Sequence, residues 1–210
     1  MFNYIRTTME ILSNLKKRFK SVESDSKEFS AKLPEPFFIS NPNINLFICW
    51  NDSPKYGIDI DGVIIGLPND NLNDAKDDII FYNNTKSQDG SILLYEGDGE
   101  MYDIECIDCC FDCFIIDLNK VSLDTNKILI FATIYDENFD FSKVVDLYLK
   151  IYERNTRNVL FEYRIDKTKL KGRAIELGAL YRDVDNKWFF KPLLSSFKDG
   201  LKGVVEKYIN

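Results

Sequence analysis

The sequence predicts an all-β protein, a β-sandwich of antiparallel strands with a short C-terminal helix and an N-terminal helical extension. Three observations support this fold class. The chain has 210 residues, of which 45% are hydrophobic, so a domain of ordinary size can bury a core. It contains 16 Phe and 11 Tyr, and aromatic residues favour strands. Short apolar, β-branched runs alternate with turn clusters at close spacing, which is typical of a sandwich.

The first 36 residues differ in pattern from the rest of the chain. Over residues 2–20, apolar side chains recur at helical spacing between basic residues, which predicts an amphipathic helix. Such a helix either contacts a membrane surface or a protein partner, or packs on its own domain. Residues 21–36 are rich in Ser, Lys and acidic residues and end in paired prolines, which indicates a linker. The globular domain is therefore predicted over residues 37–210.

Within that domain, the apolar runs predict the strands in order. They cover residues 44–50, 58–67, 78–83, 91–95, 113–118, 127–135, 145–153, 159–165, 173–182 and 187–193. Asn-, Asp-, Gly- and Pro-rich clusters separate them and predict turns. In the run 145–153, Leu147 and Leu149 alternate with polar or aromatic residues, as a half-buried strand does. Segment 195–209 begins with a pair of serines, and its apolar residues then recur along one helical face, which predicts the C-terminal helix.

The chain contains no histidine, which narrows its chemistry. Ser-His-Asp and Cys-His arrangements within the chain are excluded, as are His-ligated zinc and haem. The usual general base near neutral pH is also missing, so we expect a protein that is not an enzyme. Four of the five cysteines form one cluster, unlike a disulfide framework, and the N-terminus lacks a signal-peptide pattern. We therefore expect a cytoplasmic location.

The net charge of −7 is unevenly distributed. Residues 51–117 are heavily acidic, whereas residues 141–210 carry more Lys and Arg than Asp and Glu. A nucleic-acid-binding protein would instead present a basic face, so no nucleic-acid partner is expected. The pattern is that of a dipolar protein whose acidic end attracts cations.

The first candidate cation site is GIDIDG, which contains Asp59 and Asp61. In a strand, residues i and i+2 point to the same side. Two neighbouring carboxylates repel each other unless a cation lies between them or both face water. Hard divalent cations take several oxygen ligands, so this pair is either the start of a metal site or a solvated strand face.

The second candidate is YNNTKSQDGS, which contains Asn83, Asn84, Asp89 and Gly90. Amide, carbonyl and carboxylate oxygens are ligands for Ca²⁺. Asn and Asp-Gly are also common turn residues, so the same segment is compatible with a turn that binds nothing.

The third candidate is the acidic segment 95–117, YEGDGEMYDIECIDCCFDCFIID. It supplies Asp98, Asp108 and Asp112 among other acids, together with glycines that allow close approach of the backbone. Such a density of carboxylates is unfavourable without a counter-cation, unless the loop is solvated and screened by salt.

The same segment holds Cys106, Cys109, Cys110 and Cys113. Structural zinc usually takes two C-x2-C pairs that are far apart in sequence, whereas both pairs here lie within eight residues. Adjacent strand residues face opposite sides, so all four thiols cannot meet one Zn²⁺ without a loop. Buried or redox-labile cysteines are the favoured interpretation, with zinc as the alternative.

An ordered set of motifs carries a family resemblance. The motifs are Trp50, GIDID (57–61), FYNN (81–84), SQDGS (87–91), GD (97–98), IDLNKV (116–121), ILIFATIYDEN (128–138), LGALYR (177–182), KWFF (187–190) and GLKG (200–203). In this order they resemble the TerD domain of tellurium-resistance and stress proteins, over about residues 44–210.

The resemblance implies a β-sandwich with a Ca²⁺ site made by loops at one end. It implies a role in resistance to tellurite, other chemical stress and phage, without enzymatic activity. The metal-binding positions carried over are Asp59 and Asp61 for the D-x-D, Asn83 and Asn84 for the N-N, Asp89 and Gly90 for the turn, and Gly97 and Asp98 for the start of G-D-N.

The chain departs from the family pattern after Asp98, where the Gly-rich part and the D-D-E are missing. Asp112 falls where the family has its Glu, and Asp108 stands in for a preceding acid. Three hypotheses remain. Calcium orders the acidic loops, which present a surface to a protein partner of a stress-response complex. Alternatively, the domain is a scaffold without calcium, or a zinc or redox sensor that uses the Cys106–Cys113 cluster.

Overall fold

A computed structural model of the chain describes residues 33–51, 57–68, 78–95 and 110–208. These residues belong to one compact unit that begins at Leu33. The predicted N-terminal helix (2–20) and most of the predicted linker (21–36) lie outside the described residues. Within the described ranges, no helix is long and apolar enough to cross a bilayer.

Eleven strands and one α-helix make up the described part of the chain. The strands are β1 (Phe37–Phe38), β2 (Asn43–Asn51), β3 (Ile60–Pro68), β4 (Ile79–Ile80), β5 (Ile92–Tyr95), β6 (Cys110–Asp117), β7 (Thr125–Ile134), β8 (Asp146–Glu153), β9 (Val159–Arg164), β10 (Ala174–Arg182) and β11 (Trp188–Phe197). Short 3-10 helices cover Phe141–Lys143 and Lys167–Lys169, and helix α1 covers Leu201–Tyr208.

The strands form two antiparallel sheets. Sheet A has the order β1-β11-β10-β7-β3-β4, and sheet B has the order β5-β6-β2-β8-β9. The inner faces of both sheets contribute to one hydrophobic core, with Ile64 and Ile130 from sheet A and Ile48 and Phe114 from sheet B. This arrangement confirms the predicted all-β fold of antiparallel strands with a short C-terminal helix.

The two outer faces are built differently. Helix α1 packs on the outer face of sheet A, where Val204 is buried against residues such as Phe131 and Val63. The outer face of sheet B carries an aromatic cluster around Phe47, which is 2% exposed and packs with Phe111. Both sheets therefore bury apolar side chains on each of their faces.

Two predicted elements differ from the structure. The run 78–83 forms a strand only at β4, after which Phe81 and Asn84 pair across a tight turn. The serines assigned to the start of the C-terminal helix instead extend β11, because β11 pairs with β10 as far as Phe197. Helix α1 begins only after Gly200, the last residue between β11 and the helix. Gly200 has a positive φ of 62°, which glycine adopts readily.

Candidate functional site

The first part of the candidate site lies where the chain enters β3. Asp59 is exposed and immediately precedes the strand, and Asp61 is half-buried at its second position. Asp61 is opposite Thr133 of β7, whose hydroxyl donates to the Asp61 carbonyl oxygen at 3.4 Å. The D-x-D of the sequence is therefore fixed at one end of sheet A.

Sheet B supplies the third carboxylate of this end. Asp112 lies in β6 opposite Ile48 of β2 and shares the inner face of its strand with Phe114. Its Oδ2 atom accepts a hydrogen bond from the backbone N–H of Gly62, with an N–O distance of 2.5 Å. Because Gly62 is in β3, this bond joins the two sheets. We call the part of the molecule around Asp59, Asp61 and Asp112 the acidic end.

Burial and mutual repulsion disfavour negative charge at the acidic end. Burial raises the pKa of Asp61 to about 6, and the charges of Asp59 and Asp112 add to this effect. Burial also raises the pKa of Asp112, with the N–H of Gly62 opposing the shift and the charge of Asp59 adding to it. A neighbouring positive charge would relieve both effects.

The donor set at the acidic end fits a hard cation in chemistry but not in number. Carboxylate oxygens are the ligands that Ca²⁺ takes in proteins. Asp112 uses one oxygen for Gly62, which leaves the other for a ligand. Across the residues that the structure describes, no group of three acids or thiols is close enough to hold a metal alone. A full coordination sphere therefore needs oxygens beyond these three side chains.

Asn83 and Asn84 lie at the same end of the sandwich. Strand β4 runs antiparallel to β3, so the chain after Ile80 proceeds toward the start of β3. The Asn84 side-chain amide donates to the Ile79 carbonyl oxygen at 2.8 Å and closes the turn, whereas Asn83 is exposed. The structure gives Asn84 a role in the turn and places both residues at the same end of the sandwich as Asp59 and Asp61.

Asp89 and Gly90 do not join these residues. The Asp89 carboxylate accepts hydrogen bonds from the Ser87 hydroxyl and from the backbone N–H groups of Ser91 and Ser122, each at 2.8 Å. Ser91 also accepts a backbone bond from Asp117, which lies about 16 Å along β6 from Asp112 at ~3.3 Å per residue. We call this opposite end the Asp89 end.

The structure does not bring Asp89 and Gly90 together with Asp59 and Asp61. The two pairs lie at opposite ends of the sandwich, and Asp89 binds protein donors with both of its oxygens. Gly90 has a positive φ of 70°, which is the backbone conformation required by the turn. Both residues thus fit the turn interpretation of YNNTKSQDGS.

Gly97, Asp98 and Asp108 lie outside the described residues, so their predicted roles in the site stay predictions. The same holds for Cys106 and Cys109, whereas Cys110 begins β6.

The described thiols are poorly suited to bind a soft metal. Cys113 is 1% exposed, and it packs with Phe47 and Cys49 on the outer face of sheet B. Burial raises the pKa of Cys49 to about 11, which disfavours the thiolate. Both are free thiols, and their burial fits the first form of the interpretation, buried cysteines, rather than a metal site.

Sequence reasoning missed two residues of interest. Gly62 directly follows the D-x-D and binds Asp112, and a signal for it was present because a glycine inside a strand often marks a close approach. Cys49 lies far from the cysteine cluster in sequence, and only the pairing of β2 with β6 brings it near Cys113.

Comparisons with known proteins agree with this architecture. The sequence model of the family described as TerD domain matches residues 40–208. Two relatives named Tellurium resistance protein TerD, from Alcaligenes sp and Serratia marcescens, are 25% and 24% identical to the chain. In both cases the match covers 80% of this chain and 88% of the relative.

Two solved structures are similar in fold. A protein of unknown function, SAV2460, gives a TM-score of 0.58 at 20% identity, with coverage of 77% of this chain and 92% of that protein. A homologue of telluride resistance protein from Streptomyces coelicolor, SCO6318, gives a TM-score of 0.58 at 15% identity, with coverage of 80% and 96%. At these identities the two structures support the fold alone.

Proposed function

The chain belongs to the TerD domain family, and we propose that it is a non-enzymatic calcium-binding domain that acts in resistance to tellurite and other chemical stress. The relatives named as tellurium resistance proteins support the cellular role. The odd number of cysteines, four of which lie in one cluster, supports a cytoplasmic setting.

The observation that carries the calcium proposal is the meeting of carboxylates from both sheets at the acidic end. Asp61 comes from β3 and Asp112 from β6, and both have raised pKa values because they are buried near other negative charges. A bound Ca²⁺ would supply the positive charge that this arrangement lacks. The exposed Asp59 and the turn at Asn83 and Asn84 offer further oxygen atoms at the same end of the sandwich.

The acidic end also presents side chains suited to a protein partner. Tyr135 follows β7 and is 83% exposed, and Tyr82 in the turn after β4 is 53% exposed. Tyrosine is enriched at protein interfaces because it combines apolar area with a hydrogen-bonding group. Arg173 donates to the Tyr135 carbonyl oxygen at 3.3 Å, and its Nη2 atom lies 3.7 Å from Oε1 of Glu137. These two contacts stabilise the loop after β7. We propose that this end meets the partner once its carboxylates are neutralised.

The test is thermal unfolding of the full chain, reduced and treated with EDTA, during stepped addition of Ca²⁺ with Mg²⁺ as control. A ligand that binds only the folded state at 100 times its Kd adds about 2.7 kcal/mol, or about 5 to 10 °C in the midpoint for a domain of this size. We expect a rise that begins at micromolar Ca²⁺, continues with the logarithm of the Ca²⁺ concentration and is absent with Mg²⁺. No shift up to millimolar Ca²⁺ would remove the calcium function and favour a scaffold.

Tryptophan fluorescence provides a local readout of the same binding. Trp50 ends the β2–β6 pairing near Asp112, whereas Trp188 lies under Arg182 toward the Asp89 end. In the variant Trp188→Phe, Trp50 is the remaining tryptophan of the chain. Its emission should change with Ca²⁺ over the same concentrations that raise the midpoint, and an unchanged signal would argue that the ion binds elsewhere.

A further inference from the structure

We infer that Gly62 is a positioning residue of the calcium site, because its backbone N–H holds the carboxylate of Asp112 from the opposite sheet. This inference rests on the proposed calcium function and adds a residue that contributes no ligand atom of its own side chain. The site then depends on a contact between the sheets, in addition to the acidic residues themselves.

The hydrogen bond fixes which way Asp112 points. The amide nitrogen of Gly62 lies 2.5 Å from Oδ2 of Asp112, which is a short hydrogen bond between the two sheets. One carboxylate oxygen is directed at Gly62, so the orientation of the other is fixed as well.

Only glycine leaves room for this contact. A Cβ atom on residue 62 would lie 2.8 Å from Cε2 of Phe114, 3.1 Å from Oδ2 of Asp112 and 3.1 Å from Cδ1 of Ile48. All three neighbours belong to β2 or β6 of sheet B, so the missing side chain is what allows β3 to approach the opposite sheet. Gly62 is required for space rather than for a left-handed backbone.

Gly62 thereby couples the two carboxylates. Asp61 is its neighbour in sequence and Asp112 is its hydrogen-bond partner, so one peptide segment sets the position of both. Residues that orient metal ligands by hydrogen bonding change metal affinity by roughly 10- to 100-fold when they are altered. We therefore expect altering Gly62 to change Ca²⁺ affinity by roughly 10- to 100-fold.

The matched variants are Gly62→Ala and Gly66→Ala, two alanines added to the same strand. A Cβ on Gly66 would lie 3.3 Å from Cβ of Asp78 and 3.6 Å from Thr125, about 13 Å along β3 from Gly62 at ~3.3 Å per residue. We expect Gly62→Ala to weaken Ca²⁺ binding roughly 10- to 100-fold and Gly66→Ala to change it less than about twofold. Equal Ca²⁺ affinities in the two variants would overturn the inference.

A measurement on the unmutated chain covers the case in which Gly62→Ala does not fold. In ¹⁵N-labelled protein, the Gly62 amide proton should resonate far downfield because it binds a carboxylate. It should shift during Ca²⁺ titration with the same midpoint as the Trp50 signal, whereas the Gly66 amide should not. A Gly62 amide that does not move while Ca²⁺ saturates the protein would refute the role.

The calcium function and the role of Gly62 are contradicted by different outcomes. If the unmutated chain shows no Ca²⁺-dependent rise in its unfolding midpoint, the calcium function fails and the role of Gly62 fails with it. Suppose instead that the unmutated chain binds Ca²⁺, but the Gly62 amide does not shift and Gly62→Ala binds Ca²⁺ as tightly as Gly66→Ala. The calcium function then stands, and only the positioning role of Gly62 is lost.

Discussion

The two ends of the sandwich use aspartate in opposite ways. At the Asp89 end, burial alone would raise the pKa of Asp89, but donors from Ser91, Ser122 and Ser87 outweigh it and hold the pKa below its ordinary value. At the acidic end, burial and repulsion raise the pKa of Asp61 to about 6. The same side chain is stabilised as an anion where the protein supplies donors and destabilised where it supplies more carboxylates.

The Asp89 end is also closed by a buried cation. Arg182 is 7% exposed and donates from Nη2 to the carbonyl oxygens of Val121 and Ser122, at 2.9 Å and 2.7 Å. Its guanidinium lies 4.7 Å from the ring centroid of Trp188. At this end, hydrogen-bond donors and a guanidinium of the protein stabilise the charge of Asp89. At the acidic end, the carboxylates lack such a counter-charge, which an ion from solution can supply.

The largest expected effect is at the Asp89 end. Asp89→Ala removes the acceptor of three hydrogen bonds, two within its own turn and one that joins this turn to Ser122, so we expect a loss of about 3 kcal/mol in the free energy of unfolding. Chemical denaturation measures this loss. Calcium affinity should be unchanged in the same variant, and a parallel loss of affinity would contradict the separation of the two ends.

The next effect is at the acidic end and has the opposite sign. Asp61→Asn removes a carboxylate whose charged form is disfavoured, so the calcium-free protein at pH 7 should gain about 1 to 2 kcal/mol. The same change should weaken Ca²⁺ binding at least about tenfold, because it removes a charged ligand. Denaturation in EDTA and Trp50 titration measure the two effects, and an unchanged affinity would remove Asp61 from the site.

The pH dependence of stability should separate the ends further. The pKa of Asp61 is about 6 in the folded protein and about 3.9 in the unfolded chain. Its contribution to the free energy of unfolding is therefore fully present below about pH 4 and is lost as the pH rises through 6. Without calcium, the original chain should therefore lose about 1 to 2 kcal/mol relative to Asp61→Asn between pH 4 and 7.

Asp89 should show the reverse dependence. Its folded pKa is lowered, so its contribution is present above the unfolded value of about 3.9 and is lost as the pH falls through the folded value. The loss of unfolding free energy in Asp89→Ala, relative to the original chain, should accordingly become smaller at low pH. Denaturation curves of both variants over pH 3 to 7 would contradict the comparison if the two trends had the same sign.

The smallest expected effect belongs to an exposed ion pair near the Asp89 end. Lys120 is 61% exposed, and its Nζ lies 3.3 Å from Oδ2 of Asp117. Lys120→Ala should change the free energy of unfolding by less than about 0.5 kcal/mol, because water and salt screen such pairs. A change in Ca²⁺ affinity in this variant would indicate that long-range charge, rather than local contacts, sets binding.

Local patterns in the sequence were enough to predict most strands and the family. Alternation in residues 145–153 predicted β8, which covers Asp146–Glu153. The resemblance built on ordered motifs over residues 44–210 is confirmed by the family match over residues 40–208. These inferences succeeded because strand alternation and motif order are properties of the chain itself.

Two other local patterns did not predict the element that forms. The serines before α1 resembled a helix start, but pairing with β10 keeps them in β11. The run 78–83 was apolar enough for a longer strand, but the turn closed by Asn84 ends it after Ile80. Strand pairing decided the first case, and a local turn decided the second.

The sequence by itself determined that this chain is a β-sandwich of the TerD family with an excess of carboxylates in its first half. Only the tertiary structure decided which carboxylates meet. Asp112 joins Asp61 through the N–H of Gly62, 50 residues away in sequence, while Asp89 is held at the opposite end by Ser122. The physical reason is that composition fixes how many charges the protein must accommodate, whereas sheet pairing and packing across the sandwich fix which charges repel and which find donors.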